Sequence, residues 1–301
     1  MWIRIPIVAE NGFVVGIKTN GSTMTATALP KVPSVLVFAG LDPSGGAGLQ
    51  ADIEALGSMG CHPCPIATSL TVQDTHNVQR QSPVHPDLIQ AQCELLMSDI
   101  SITGVKIGLL ANSGIADVVA RLLKTLPDIP VVMDPVLAAS GGTQLSDAAL
   151  LETMDALLPQ ITLLTPNQWE AHRLTGQKTQ DAQAKALLDR GCEMVLITGA
   201  DAHTALVENR LYARQGLLET YPWERLPGSF HGTGCTLSSA VCGLLAQGHD
   251  PRRAVADAQR YTWETLYEAY AVGQGQSIPN RLFWAHRDAS ETTERGADHE
   301  G

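Results

Sequence analysis

A chain of 301 residues that is 44% hydrophobic and 17% charged is globular material with enough apolar surface for one large core. Its net charge of −11 excludes a general nucleic-acid surface, while leaving room for a locally positive pocket that takes a small anion. The chain has no apolar run of membrane-spanning length and no signal-peptide pattern from Met1 to Val8, and its six cysteines make no disulfide framework, so a cytoplasmic protein with reduced thiols is expected.

Residues 1–33 lack the rhythm of the rest and read as an N-terminal extension with little fixed structure. Met24 is an alternative initiator, and a hairpin of Phe13-Val14-Val15 with Ile17-Lys18 is the competing reading. A single domain then spans 34–285. It opens with Val35-Leu36-Val37-Phe38-Ala39-Gly40, a continuous apolar run of the kind buried in a parallel sheet. Asp42-Pro43-Ser44-Gly45-Gly46-Ala47-Gly48 follows, and then a helix carrying Leu49, Ile53 and Leu56. Strand, Gly-rich turn and helix make a ligand-binding arrangement, but the spacing is not that of a dinucleotide fingerprint. Asp52 is either a substrate ligand or a favourable first-turn acid.

Cys61-His62-Pro63-Cys64 has no second pair to complete a zinc site, so these read as structural thiols at a strand entry. The strand continues through Ile66 to Leu70, with Thr71-Val72-Gln73-Asp74-Thr75 just beyond it, where ligands bind in open α/β sheets. Alternation continues with helices over 86–98, 112–124, 146–157, about 167–175 and 179–190. Between them lie strands at 104–108, at Pro130 to Val136, at 161–165 and at 194–198. This series predicts a mostly parallel sheet with helices on both faces. Ala205-Leu206-Val207 and Arg210 to Ala213, joined by Glu208-Asn209, break the series as a small antiparallel edge hairpin. Helices over 234–246 and 250–272 close the domain, and an acidic tail over 286–301 is expected to be disordered.

Between the hairpin and those helices lies His231-Gly232-Thr233-Gly234-Cys235-Thr236, running straight into the apolar stripe Leu237, Ala240, Val241, Leu244. Two glycines and two threonines thus open a helix, whose first N–H groups are unpaired and carry the positive end of the dipole. Such a turn holds a phosphate, and its field is expected to favour a Cys235 thiolate. No lysine follows the second glycine, so it is not a Walker loop. The competing reading is a Gly-rich loop with an inert, buried cysteine.

Ala39 to Gly48, Gln50-Ala51-Asp52, Lys106-Ile107-Gly108, Asp134-Pro135-Val136, Thr165-Pro166-Asn167 with Glu170, and His231 to Thr236 together resemble the hydroxymethylpyrimidine/phosphomethylpyrimidine kinases of thiamine biosynthesis. Those kinases belong to the ribokinase-like fold, and the resemblance covers residues 34–284. It implies transfer of phosphoryl groups from ATP, with Mg²⁺, first to 4-amino-5-hydroxymethyl-2-methylpyrimidine and then to its monophosphate, by a homodimer. It also implies roles for individual residues. Cys235 is the proton acceptor, with the amides of Gly232, Gly234 and Cys235 on the transferring phosphoryl group. Asp52 and Gln73 read the pyrimidine's polar edge, Leu109 and Val136 pack its faces, and the Gly46-Ala47 backbone adds a contact. Asp134, Asn167, Glu170, Thr198 and Thr233 lie on the nucleotide side, with Glu170 reaching the metal through water. Two lysines frequent in the family are absent, because the chain reads Thr198-Gly199-Ala200-Asp201 and Ala138-Ala139-Ser140-Gly141 instead. Two alternatives stay open: a pyridoxal kinase of the same fold, and a non-catalytic pyrimidine-binding regulator.

Overall fold

The computed structural model describes residues 31–126, 128–138, 142–143, 148–200 and 204–285. The expected N-terminal extension up to residue 30, with its alternative hairpin, and the acidic tail from 286 lie outside the described residues. The described residues from Val32 to Ala285 form one compact unit.

A nine-stranded sheet organises it: β1 (Ser34–Leu41), β2 (His62–Gln73), β3 (Val78–Pro83), β4 (Ile102–Ile107), β5 (Val131–Met133), β6 (Leu163–Leu164), β7 (Met194–Ile197), β8 (Leu206–Ala213) and β9 (Gly216–Glu224). Their spatial order is β3-β2-β1-β4-β5-β6-β7-β8-β9, parallel from β2 to β7 and antiparallel at both ends. The parallel strands read as apolar runs because both faces are covered. In β1, Leu36 and Phe38 enter one core cluster while Val35, Val37 and Ala39 enter the other. Helices α2 (Pro86–Asp99), α3 (Ser113–Leu123), α4 (Ala148–Leu157), α5 (Gln168–Thr175) and α6 (Gln180–Asp189) cover the first face. Helices α1 (Gly48–Ser58), α7 (Thr233–Ala246) and α8 (Pro251–Tyr267) cover the second.

Four local expectations are corrected. Thr71 to Gln73 lie within β2 rather than past it, because β2 runs on to pair with the antiparallel β3. That strand was not anticipated, since only Val78 of its residues is buried and the rest is polar. Glu208 and Asn209 are not a turn but part of β8, and the reversal comes at Arg214-Gln215, between Ala213 and Gly216. Helix α8 ends at Tyr267, before the Gly273 and Gly275 loop. Cys61 and Cys64 are buried, unbonded thiols.

The segment after α8 folds back as a strap. Tyr270 and Ile278 pair with one another, and Ser277 pairs with Phe230, just before the His231 loop. Further along, Arg281 is 1% exposed, which is rare for an arginine and requires full pairing. Its Nε donates to Thr236 Oγ1 at 2.8 Å, its Nη1 to Glu54 Oε2 at 3.2 Å, and its Nη2 to the Gly46 carbonyl.

Candidate active site

A cavity of about 820 Å³ lies along the carboxyl ends of the parallel strands, where open α/β sheets bind ligands. Its centre is the start of α7. Gly232 caps the helix with φ of 78°, and the first intrahelical bond is Thr236 N–H to the Gly232 carbonyl. The N–H groups of Thr233, Gly234 and Cys235 therefore have no helical acceptor, and all three residues line the cavity. The glycines also serve packing. A Cβ on Gly232 would lie 2.1 Å from the Gly46 carbonyl oxygen, and one on Gly46 would lie 2.2 Å from the His231 ring. The two Gly-rich loops are interlocked.

Toward β2 and β3 the walls are apolar: Val78, Leu109 and Val136 form a small cluster of their own. The polar edge there is Gln73, His231 and Asp42. His231 Nε2 lies 2.9 Å from Asp42 Oδ2 and 3.1 Å from the Gln73 amide nitrogen. The carboxylate draws the Nε2 proton, and the Gln73 amide stands beside the same ring nitrogen at the edge of the cavity. Burial works against the charge of Asp42, but hydrogen bonds from His231, from Ser44 and from the Ala47 N–H outweigh it and hold its carboxyl below the usual range. His231 Nδ1 is buried with no hydrogen-bond partner among the described residues.

Toward β8 and β9 the cavity is walled by Val207, Trp223, Leu226, Trp263 and Leu266. Asn209 Nδ2 donates to Gln259 Oε1 at 2.7 Å, and Trp223 Nε1 donates to the same oxygen at 3.1 Å. Asn209 Oδ1 accepts from the Gly199 N–H at 3.0 Å, and Trp263 Nε1 donates to the Glu224 carbonyl at 3.0 Å. Where the family lysines are missing, Arg225 lines the cavity and binds the Thr204 and Ala200 carbonyls through its Nε and Nη1.

Most of the expected site residues come together on these walls: Ala47, Gln73, Leu109, Asp134, Val136, Asn167, Glu170, Thr198, Gly232, Thr233, Gly234 and Cys235. Gly46 lies behind them, beneath the His231 ring. Asp52 does not reach the wall. It is fully buried, with its Oδ1 2.8 Å from Lys106 Nζ and 2.7 Å from Ser239 Oγ, so its charge is answered by the core rather than offered to a ligand. Asn167 and Glu170 form a reciprocal capping box at the start of α5: Glu170 Oε2 accepts from the Asn167 N–H at 2.9 Å and Asn167 Oδ1 from the Glu170 N–H at 2.8 Å. Sequence reasoning missed Asp42 paired with His231, Val78, and the whole Trp223, Asn209 and Gln259 group. The Asp42 and His231 pairing joins two glycine motifs far apart in the chain, and only their shared polarity hinted at it.

The expected thiolate is overturned. Burial pushes the Cys235 thiol up to about 12, opposed by Lys106 and reinforced by Asp52 and Asp134, with the Gly48 N–H helping the sulfur. The helix field is real, but desolvation and two carboxylates outweigh it. Asp134 is raised to about 6 by burial, with Lys106 opposing and Asp52 adding.

The family model described as phosphomethylpyrimidine kinase matches residues 42–280. The chain belongs to the phosphomethylpyrimidine kinase family. A relative from Salmonella typhimurium named hydroxymethylpyrimidine/phosphomethylpyrimidine kinase is 36% identical over 253 residues, covering 81% of this chain and 95% of that protein. The thiamine biosynthesis bifunctional protein ThiED of Geobacter sulfurreducens is 33% identical, across 84% of this chain and 53% of its own length. Among solved structures, an ADP complex of Bacillus subtilis pyridoxal kinase has a TM-score of 0.73 at 28% identity, covering 84% of this chain and 99% of that one. The family's kinases are phosphotransferases that use ATP, and the mostly parallel sheet with helices on both faces is the α/β, ribokinase-like fold of these neighbours.

Proposed function

We propose that this chain phosphorylates 4-amino-5-hydroxymethyl-2-methylpyrimidine with ATP, and then phosphorylates the monophosphate to the pyrophosphate, in thiamine biosynthesis. Family membership supplies the reaction class. The single structural observation that carries the substrate is the small apolar slot of Val78, Leu109 and Val136 edged by Gln73 and His231, right beside the open turn of α7. A flat, neutral aminopyrimidine needs apolar walls and one polar edge.

In this reading the ring lies between Leu109 and Val136 with its amino edge on Gln73, and the hydroxymethyl group points at Cys235. The free amides of Thr233, Gly234 and Cys235 hold the transferring phosphoryl group, which needs positioning and charge neutralisation more than covalent chemistry. The nucleotide base enters between Trp223 and Trp263, with Thr198 and Asn167 along its phosphates. Mg²⁺ fits the donors present: Asp134 is a buried carboxyl short of positive charge, and Glu170 lies on the same wall. When bound, the metal supplies charge to the β- and γ-phosphates. Asp134 and Glu170 would hold it, Glu170 through water because one oxygen is spent on the α5 cap. Residues 34–285 are the kinase unit, and a cytoplasmic homodimer completes the reading, by likeness to the family.

The test is a coupled ADP-release assay with hydroxymethylpyrimidine and with pyridoxal, run side by side with Mg²⁺. Turnover on the pyrimidine, with the pyrophosphate as final product, supports the reading. Turnover on pyridoxal alone replaces it with the pyridoxal kinase alternative, and no turnover on either leaves a binding protein.

A further inference from the structure

Lys106 is a charge the fold has gone out of its way to keep. It stands in β4 at zero exposure, in a strand whose neighbours are apolar. A buried ion pair is seldom kept for stability, since well-packed apolar residues do as well or better. Its Nζ lies 2.8 Å from Asp52 Oδ1, and beyond that carboxylate no described group accepts a hydrogen bond from it. An ammonium has three donors, so most of this one's capacity is unspent. Lys106 also lines the cavity, and its partner Asp52 accepts from Ser239 Oγ at 2.7 Å, one turn along α7 from Cys235. The charged groups that act on Cys235 are Lys106 from β4, Asp52 from α1 and Asp134 from the loop after β5. Burial opposes the charge of Lys106, but Asp52, Cys235 and Asp134 outweigh it and hold its proton more tightly than in an ordinary lysine.

We propose that Lys106 is the positioning cation of the reaction centre: anchored from behind by Asp52, it makes the anionic form of Cys235 accessible and balances the negative charge that gathers at the first turn of α7. Cys235 first gives its proton to solvent through the open cavity. The hydroxymethyl O–H then gives its proton to the sulfur, the freed oxygen forms its bond to the γ-phosphorus, and the bond from that phosphorus to the bridging oxygen of ADP breaks. Lys106 keeps its proton throughout. The inference rests on the kinase reading for the reaction it serves, but its test needs no substrate.

Cys235 is half-buried and the other five cysteines are buried, so alkylation by iodoacetamide, followed by mass spectrometry of the Cys235 peptide, titrates this thiol in the folded protein. Lys106→Met removes the cation at similar volume, and Asp52→Asn removes the opposing carboxylate. At pH 8 the first should slow alkylation about tenfold or more and the second should speed it about tenfold, as expected for a shift of about one pKa unit each way. The midpoints of the rate–pH curves should move in opposite directions. A merely structural role would not reverse sign between the two variants. Lys106→Met within twofold of the unaltered protein, or both variants moving the same way, overturns the proposal. If Lys106→Met unfolds and all six cysteines label, Asp52→Asn decides: faster labelling of Cys235 supports the proposal, and unchanged or slower labelling overturns it.

Discussion

The two ends of the cavity spend their polar groups differently. Toward β2 and β3, the Gln73 amide meets only the His231 ring among the described residues, and His231 Nδ1 is without a partner there. Toward β8 and β9, Asn209, Gln259, Trp223 and Trp263 have already satisfied one another or the backbone. One end is built to read a ligand's hydrogen-bonding edge, and the other is built to hold a flat ring by shape. A site with unpaired donors penalises any ligand that fails to answer them, whereas a self-satisfied apolar slot tolerates variation.

The largest effect is expected where the two ends meet. Cys235→Ala should lower turnover of the first phosphorylation by about 10²–10⁴-fold, the usual worth of a positioned proton acceptor, and Cys235→Asp should keep more activity than Ala. The second phosphorylation is the internal control. Its acceptor is already largely ionised and should suffer less. Nearly full turnover of Cys235→Ala on hydroxymethylpyrimidine would assign the catalysis to the amides alone. Next is the reading end. Gln73→Leu should cost about 1–3 kcal/mol, or roughly 5- to 150-fold in pyrimidine affinity by calorimetry, with ATP affinity nearly unchanged. Equal weakening of both ligands would break the division between the ends.

Asp134 sharpens the comparison through stability. Its carboxyl ionises at about 6 when folded, against a reference of 3.8, so between those values the folded state holds a proton the unfolded chain has lost. Stability therefore falls as pH rises through that window, and above it the charged form is a net cost. Asp134→Asn should raise the melting temperature at pH 7.5 by about 3 °C or more, do little at pH 4, and lower activity. No gain at pH 7.5 would mean that Lys106 already offsets the buried charge. The smallest effect belongs to the shape-holding end. With no side-chain amide free to read a purine at that end among the described residues, kcat/KM for ATP and GTP should agree within about tenfold, against the 10⁴–10⁵ of sites that hydrogen-bond their ligand. A thousandfold preference would show that a group at that end does read the base.

Much of the scaffold was legible because parallel strands announce themselves. β1, β5 and β7 are apolar on both faces, and α5, α6 and α8 open on Asn167, Thr179 and Asp250, side chains that accept from the first turn. The errors fall where polar residues have structural partners far along the chain. Glu208-Asn209 looked like a turn because a polar pair between apolar runs ordinarily is one, yet Asn209 is buried against Gln259 on α8. Edge strand β3 has too few buried residues to show a period. Asp52 reads as a ligand by resemblance because its answering lysine lies far along the chain, on β4. The Cys235 thiolate failed because a helix dipole can be read from sequence, whereas desolvation and the placement of Asp52 and Asp134 cannot. The gathering of Gln73, Leu109, Val136 and the α7 turn on one cavity wall was reachable only because several motifs sit just past strand ends.

The strap after α8 bears on when the protein becomes functional. Ser277 receives the His231 N–H at 2.9 Å, Gln276 gives its N–H to the Thr75 carbonyl at 2.9 Å near Gln73, and Arg281 joins Gly46 to Thr236. The sheet, the cavity walls and all the reacting side chains are encoded upstream of these contacts; His231 and Asp42 already link the two glycine loops, and residues 276–281 brace that link. A ribosome that has translated as far as α8 has therefore made a nascent chain with nearly all its parts, but the bracing of its reaction centre waits until residues 276–281 have also emerged.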